Sequence, residues 1–152
     1  MNTSNLKTKD LMVGDWVQLK TYGVSDKFEK TEAYIFVKVA EIGSGLITVE
    51  YNNDIKEPYR ICENTEIELI PLQRIHLAKN GFKADETDEI FTYQDGYEIR
   101  VSFVDGNKEL GLEPYIYLNI EFAEKLLSKE IEYVHELQQA MRIMGCDKEI
   151  EL

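Results

Sequence analysis

The sequence predicts an α+β protein: an N-terminal SH3-like small β-barrel, then an antiparallel β-meander covered by a C-terminal helix. Three observations predict it. Between residues 16 and 70, short β-rich runs alternate with turn signals. Between residues 90 and 120, a second set of alternating apolar runs flanks an Asp95-Gly96 turn. Near the C-terminus, Val134, Leu137, Met141 and Met144 recur at helical spacing. The expected division is 1–70 for the barrel, 71–82 for a connecting helix, and 83–152 for the sheet and its helix.

In the first part, the turn Gly14-Asp15 feeds a strand at Trp16–Thr21, with Val17 and Leu19 on one face. Residues 22–32 read as a polar loop. Ala33–Ile42 is apolar on both faces, as a central strand requires. Gly43-Ser44-Gly45 supplies a turn into Leu46–Tyr51, where Ile47, Val49 and Tyr51 share a side. Asn52-Asn53-Asp54 is another turn signal. Tyr59–Cys62 and Glu66–Ile70 complete five short strands, the count of a small barrel.

Proline is favoured at the first position of a helix, so Pro71 is expected to open a helix running to Asn80. Gly81 then supplies a left-handed ending that brings Phe82 onto Leu77. Residues 83–89 contain Asp85, Glu86, Asp88 and Glu89. Their spacing lacks the alternating ligands and central glycine of a calcium loop, so they read as a solvated acidic loop. Ile90–Val104 is a hairpin. A two-residue turn at Asp95-Gly96 would set aromatics opposite charges. A three-residue loop, Gln94-Asp95-Gly96, pairs Tyr93 with Tyr97 and Phe91 with Ile99 and keeps the apolar faces together. Tyr97, Ile99, Val101 and Phe103 then face the core.

Asp105–Pro114 is a longer loop, and Tyr115–Ile120 a third strand with Ile116, Leu118 and Ile120 on one face. Residues 121–132 fit either a helix or a strand. Ile131–Gly145 is the closing helix, with Arg142 suited to its C-terminal dipole and Gly145 to its cap. Leu137 and Met141 are expected to cover the sheet. Ile150 and Leu152, in an acidic tail, read as marginal in order.

The net charge is −12, and both halves are acidic. That disfavours broad electrostatic binding to nucleic acid or anionic lipid. Only Lys20, Lys38, Lys56 and Arg60 could serve as contacts on the barrel. Two cysteines, Cys62 and Cys146, do not make a disulfide framework and read as reduced thiols. The first ten residues have no apolar core, and no apolar run is long enough to span a bilayer. The expected location is the cytoplasm, with no membrane association.

Catalytic signatures are thin. The two histidines, His76 and His135, are far in sequence from both cysteines, so no nucleophile and base stand side by side. No short-spaced His and Cys set suits zinc, and Gly43-Ser44-Gly45 lacks the following helix that would cradle a phosphate. No catalytic residue, cofactor or metal ligand is assigned. Tyr34, Tyr51, Tyr59, Tyr93, Tyr97, Tyr115 and Tyr117 fall on expected strands; tyrosines suit half-buried sheet positions, and exposed ones can also anchor a partner.

Several segments carry a resemblance. Leu11-Met12-Val13-Gly14-Asp15-Trp16-Val17, Ile70-Pro71-Leu72, Asn80-Gly81-Phe82 and Tyr133-Val134-His135-Glu136-Leu137-Gln138 are similar, in order and spacing, to motifs of a family of small uncharacterised bacterial proteins. That family is frequent in phage-like and mobile-element neighbourhoods. Its members often continue the last motif with Asn and aromatic residues, where this chain has Gln139-Ala140-Met141-Arg142. The resemblance implies an intracellular bacterial protein of accessory character and assigns no role to His135.

Three functions are compatible with these features. The first is a non-enzymatic module acting through protein contact. The second is a nucleic-acid-associated protein using the barrel. The third is an enzyme of unknown class.

Overall fold

Most strands pair with a neighbour in sequence, the first strand pairs with the fifth as well, and every ladder in both sheets is antiparallel. The computed structural model describes residues 11–24, 30–43, 46–50, 59–63 and 66–152. It is an α+β chain of two compact units, Met1–Ile70 and Pro71–Leu152.

In the first unit β1 (Trp16–Val24), β2 (Lys30–Ile42), β3 (Leu46–Glu50), β4 (Tyr59–Glu63) and β5 (Ile67–Glu68) form a sheet in the order β4-β3-β2-β1-β5. Alternation places Val17, Leu19, Val37, Val39, Ile47 and Val49 on one face, where they form a core with Leu11, Cys62 and Ile67. The main chain of Asp15 accepts from Val39 N over 2.9 Å, and its carboxylate accepts from Met12 N over 2.8 Å. These bonds close the turn at Gly14, whose φ of 91° favours glycine.

The expected loop 22–32 is shorter than the sequence suggests. β1 and β2 stay in register from Thr21↔Ala33 to Val24↔Lys30, because ladder hydrogen bonds continue where apolar alternation has ended. β4 and β5 lie at opposite edges, and among the described residues no ladder joins them into a closed barrel. The expectations at Ser44-Gly45, Tyr51, Asn52-Asn53-Asp54 and Lys56 lie outside the described residues.

The second unit has β6 (Lys83–Ala84), β7 (Ile90–Gln94), β8 (Glu98–Val104), β9 (Tyr115–Phe122) and β10 (Lys125–Ile131), in the order β10-β9-β8-β7-β6. Residues 121–132 therefore supply a strand, and Lys83–Ala84 supplies another, making five where three were expected. One face carries Phe91, Ile99, Val101, Leu118 and Ile120 and is buried. α1 (Arg74–Lys79) packs over β6 and β7, and α2 (Val134–Met144) over β9 and β10. Val134, Leu137, Ala140 and Met141 are buried, as the helical stripe requires.

α1 starts later than expected. Pro71 bridges to Tyr133, and Leu72 N donates to Glu132 O over 2.9 Å, so both lie in an extended segment. The helix begins after Gln73, whose N–H donates to His76 Nδ1 over 3.1 Å. Its far end is as expected. Gly81 has φ 82°, Phe82 N donates to Leu77 O over 3.1 Å, and Gly81 N donates to Ala78 O over 3.3 Å. α2 ends in the same way, with Gly145 at φ 82° and Cys146 N bonded to Met141 O over 2.9 Å.

The β7–β8 loop has three residues, but they are Asp95-Gly96-Tyr97, one position later than expected. The observed pairs are Gln94↔Glu98, Tyr93↔Ile99 and Phe91↔Val101. Face parity is unchanged, so the same side chains point inward. Tyr97 in the loop reaches the C-terminal tail: its hydroxyl donates to Asp147 Oδ1 over 2.9 Å and accepts from Lys148 N over 3.1 Å. The C-terminal tail is correspondingly ordered, not marginal: Ile150 is 2% exposed.

Candidate binding cleft

At one end of the second unit's sheet, four segments converge: residues 71–74, the end of β8, the start of β9 and the end of β10. Between them is a cleft of about 470 Å³. Its apolar lining includes Leu72 and Ile131, both buried, and the half-buried Phe103 and Ile116. Its charged lining is Arg74 with Asp105, Glu130 and Glu132.

Arg74 is held from two sides. Its Nε donates to Asp88 O over 2.9 Å, and its guanidinium carbon lies 4.4 Å from the centre of the Phe103 ring. Among the described residues it makes no further hydrogen bond or ion pair, so both Nη groups remain available. The carbonyl that holds it is itself fixed. Asp88 has φ 56°, and the loop around it is tied to the Asp85 carboxylate. Asp85 Oδ1 accepts from Thr87 N, Thr87 Oγ1, Glu89 N and Ile90 N over 2.9–3.2 Å. Partial desolvation works against ionisation there, but the bonds from Ile90, Thr87 and Glu89 prevail and lower the carboxyl's pKa. The acidic loop expected to be merely solvated thus positions the one cation of the cleft.

The connection from β8 to β9, which begins at the cleft residue Asp105 and ends at Pro114, is also tightly held. A Cβ at Gly106 would run into the main-chain oxygen of Leu112, so only glycine permits this close approach. Asn107 Oδ1 accepts from Glu109 N and Leu110 N over 3.0 and 3.3 Å, capping a turn of 3-10 helix at Lys108–Leu110. Asn107 and Leu112 exchange main-chain bonds of 2.8 Å.

The histidines and cysteines singled out by sequence are not cleft residues. His76 lies in α1; burial, then Lys79, lowers its pKa. His135 is buried in the first turn of α2, with its ring stacked on Tyr133 at 5.9 Å. Burial raises the thiol pKa of Cys62 in the first unit. Burial and then Asp147 do the same for Cys146 in the second. Both thiols are therefore less reactive than ordinary ones. Among the described residues, no group of three or more His, Cys, Asp or Glu could hold a metal ion. No helix of the described residues is long and apolar enough to cross a membrane.

Of the basic residues considered on the first unit, Arg60 pairs with Glu66 over 2.9 Å and Lys38 Nζ lies 4.9 Å from the centre of the Trp16 ring. Of the strand tyrosines, Tyr115 lines the cleft. Sequence reasoning missed Arg74 because its partners, Asp88 and Phe103, are 14 and 29 positions away. Comparison with protein-family models, curated proteins and solved structures gives no match.

Proposed function

We propose that this chain is a non-enzymatic, intracellular protein-interaction module of accessory or phage-like origin, with the cleft at Arg74 as its docking site. The observation that supports the reading is the preset guanidinium. It lies over the Phe103 ring with both Nη groups available, beside an apolar floor, and is tied to the loop that Asp85 holds. Such preorganisation reduces the ordering cost of binding. Net charge of −12 further supports a protein partner over a polyanion. Location in the cytoplasm is part of the same proposal and rests on the resemblance.

The experiment is capture of partners from bacterial lysate with the wild-type chain and with Ile116→Lys, which places a charge in the cleft. The melting temperature of the variant is measured alongside. A protein retained by the wild type and lost by a folded variant supports the reading. A partner retained equally by both contradicts it.

A second reading keeps the first unit as an SH3-like barrel that contacts nucleic acid. Exposed Tyr34, Phe36 and Tyr59 lie on the sheet face away from the core and favour it, because exposed aromatics stack on bases. The acidic surface weighs against it. Micromolar binding of any DNA or RNA at physiological salt would establish this second reading over the first.

A further inference from the structure

We propose that the cleft captures the carboxyl-terminal end of a partner polypeptide. The terminal carboxylate sits on the Nη groups of Arg74. The last, apolar side chain lies against Phe103 and Ile116. A basic residue just upstream faces Asp105, Glu130 and Glu132. This inference rests on the interaction-module reading and names its ligand.

The charge pattern selects the ligand. Arg74 offers a planar fork whose Nε is already engaged and whose carbon lies over the Phe103 ring, which leaves the Nη edge for a carboxylate. Three carboxylates share the cleft with that single cation. A phosphate or other multiply charged anion meets their repulsion. A simple amine meets Arg74. A ligand that carries one carboxylate and one cation, separated by apolar surface, satisfies both. A peptide terminus has that composition when a basic residue precedes an apolar last residue. The volume of about 470 Å³ falls in the range of sites that enclose drug-sized ligands and exceeds what a single free amino acid needs.

The sheet edge gives the upstream residues somewhere to go. β10 is the outer strand of its sheet. At its end Leu72 N donates to Glu132 O, on the side away from β9. The segment at Leu72 thus already adds to this edge, and Ser128 and Glu130 continue the same side of the strand toward the cleft. An extended peptide can add there through main-chain bonds while its end occupies the cleft.

The test uses the full chain and three N-acetylated peptides, followed by calorimetry. One ends in Lys-Ala-Phe with a free carboxylate, one is its C-terminal amide, and one has Glu in place of Lys. The free-acid Lys peptide should bind best. Amidation should weaken it roughly tenfold or more, the scale of a charge-assisted bidentate pair. Arg74→Gln should remove the difference between acid and amide. Because Arg74 also braces the loop at Asp88, a second variant is included: Glu130→Lys should shift preference from the Lys peptide toward the Glu peptide. Equal binding of acid and amide overturns carboxylate capture, although occupancy of the cleft would leave the interaction-module reading standing. No binding by any peptide, while Ile116→Lys still abolishes capture of a cellular partner, also overturns it and spares that reading. Loss of that reading itself shows as partner capture indifferent to Ile116→Lys.

Discussion

The side-chain amide of Asn80 exchanges two hydrogen bonds with the main chain of Glu151. Nδ2 donates to Glu151 O over 2.8 Å, and Glu151 N donates to Oδ1 over 2.7 Å. The same Nδ2 donates to His76 O over 2.7 Å. One buried side chain thus closes the end of α1 and fastens the last residues of the chain to it. With Tyr97 bonded to Asp147 and Lys148, and Lys148 Nζ 4.8 Å from the centre of the Tyr93 ring, the tail is a strap across the second unit.

Asn80→Ala should therefore cost about 1–3 kcal/mol, because it leaves partly buried main-chain groups unsatisfied. Chemical denaturation measures the loss. Amide exchange at Glu151 should accelerate in the variant. An unchanged exchange rate would mean that Asn80 does not hold the strap.

Gly96 has φ 76°, and a Cβ there meets nothing within 4 Å. The cost of Gly96→Val is then backbone strain without a clash, on the order of 1–2 kcal/mol. A denaturant midpoint and slope equal to wild type would contradict the left-handed loop.

Leu137 is fully buried beneath α2, whereas Ile143 on the same helix is 74% exposed. Leu137→Ala should cost about 2–5 kcal/mol, a large fraction of a domain stability of roughly 5–15 kcal/mol. Ile143→Ala should change little. Equal melting temperatures for the two variants would refute α2 as the cover of the sheet.

The Asp85 carboxyl should titrate below its ordinary value of 3.8. A depressed folded-state pKa contributes stability that is present above the unfolded value and is lost as pH falls through the folded one. The Asp85 contribution is therefore complete at neutral pH and disappears only in strong acid. Nuclear magnetic resonance titration reads the midpoint directly. Thr87→Ala should raise it, and a midpoint at or above the ordinary value in the wild type would contradict the hydrogen-bond cradle.

Much of the fold is legible in the sequence where side-chain periodicity meets a cap. The stripe at Val134, Leu137 and Met141 with Gly145, and the Leu77-Gly81-Phe82 ending, both specify local geometry through residues close in sequence. What is not legible depends on distant partners or on strained backbone. The β9–β10 hairpin turns through Ala123 at φ 50° and Glu124 at φ 67°, without the Asn or Gly that announces such a turn. The β7–β8 loop is displaced by one residue, and its Tyr97 bonds Asp147, 50 positions away. Pro71 reads locally as a helix start but is drawn into extended pairing at Tyr133. The cleft is of the same kind. Arg74, Asp105, Ile116 and Glu130 have no common motif, and only the end of the sheet gathers them.

The most direct test of the docking cleft is amide chemical-shift mapping on the labelled full chain, titrated with the free-acid Lys-Ala-Phe peptide. The account predicts shifts concentrated at Leu72, Arg74, Phe103, Asp105, Ile116 and Glu130, absent when the cleft is blocked by Ile116→Lys. Shifts confined to the first unit, or none at saturating peptide, would contradict it.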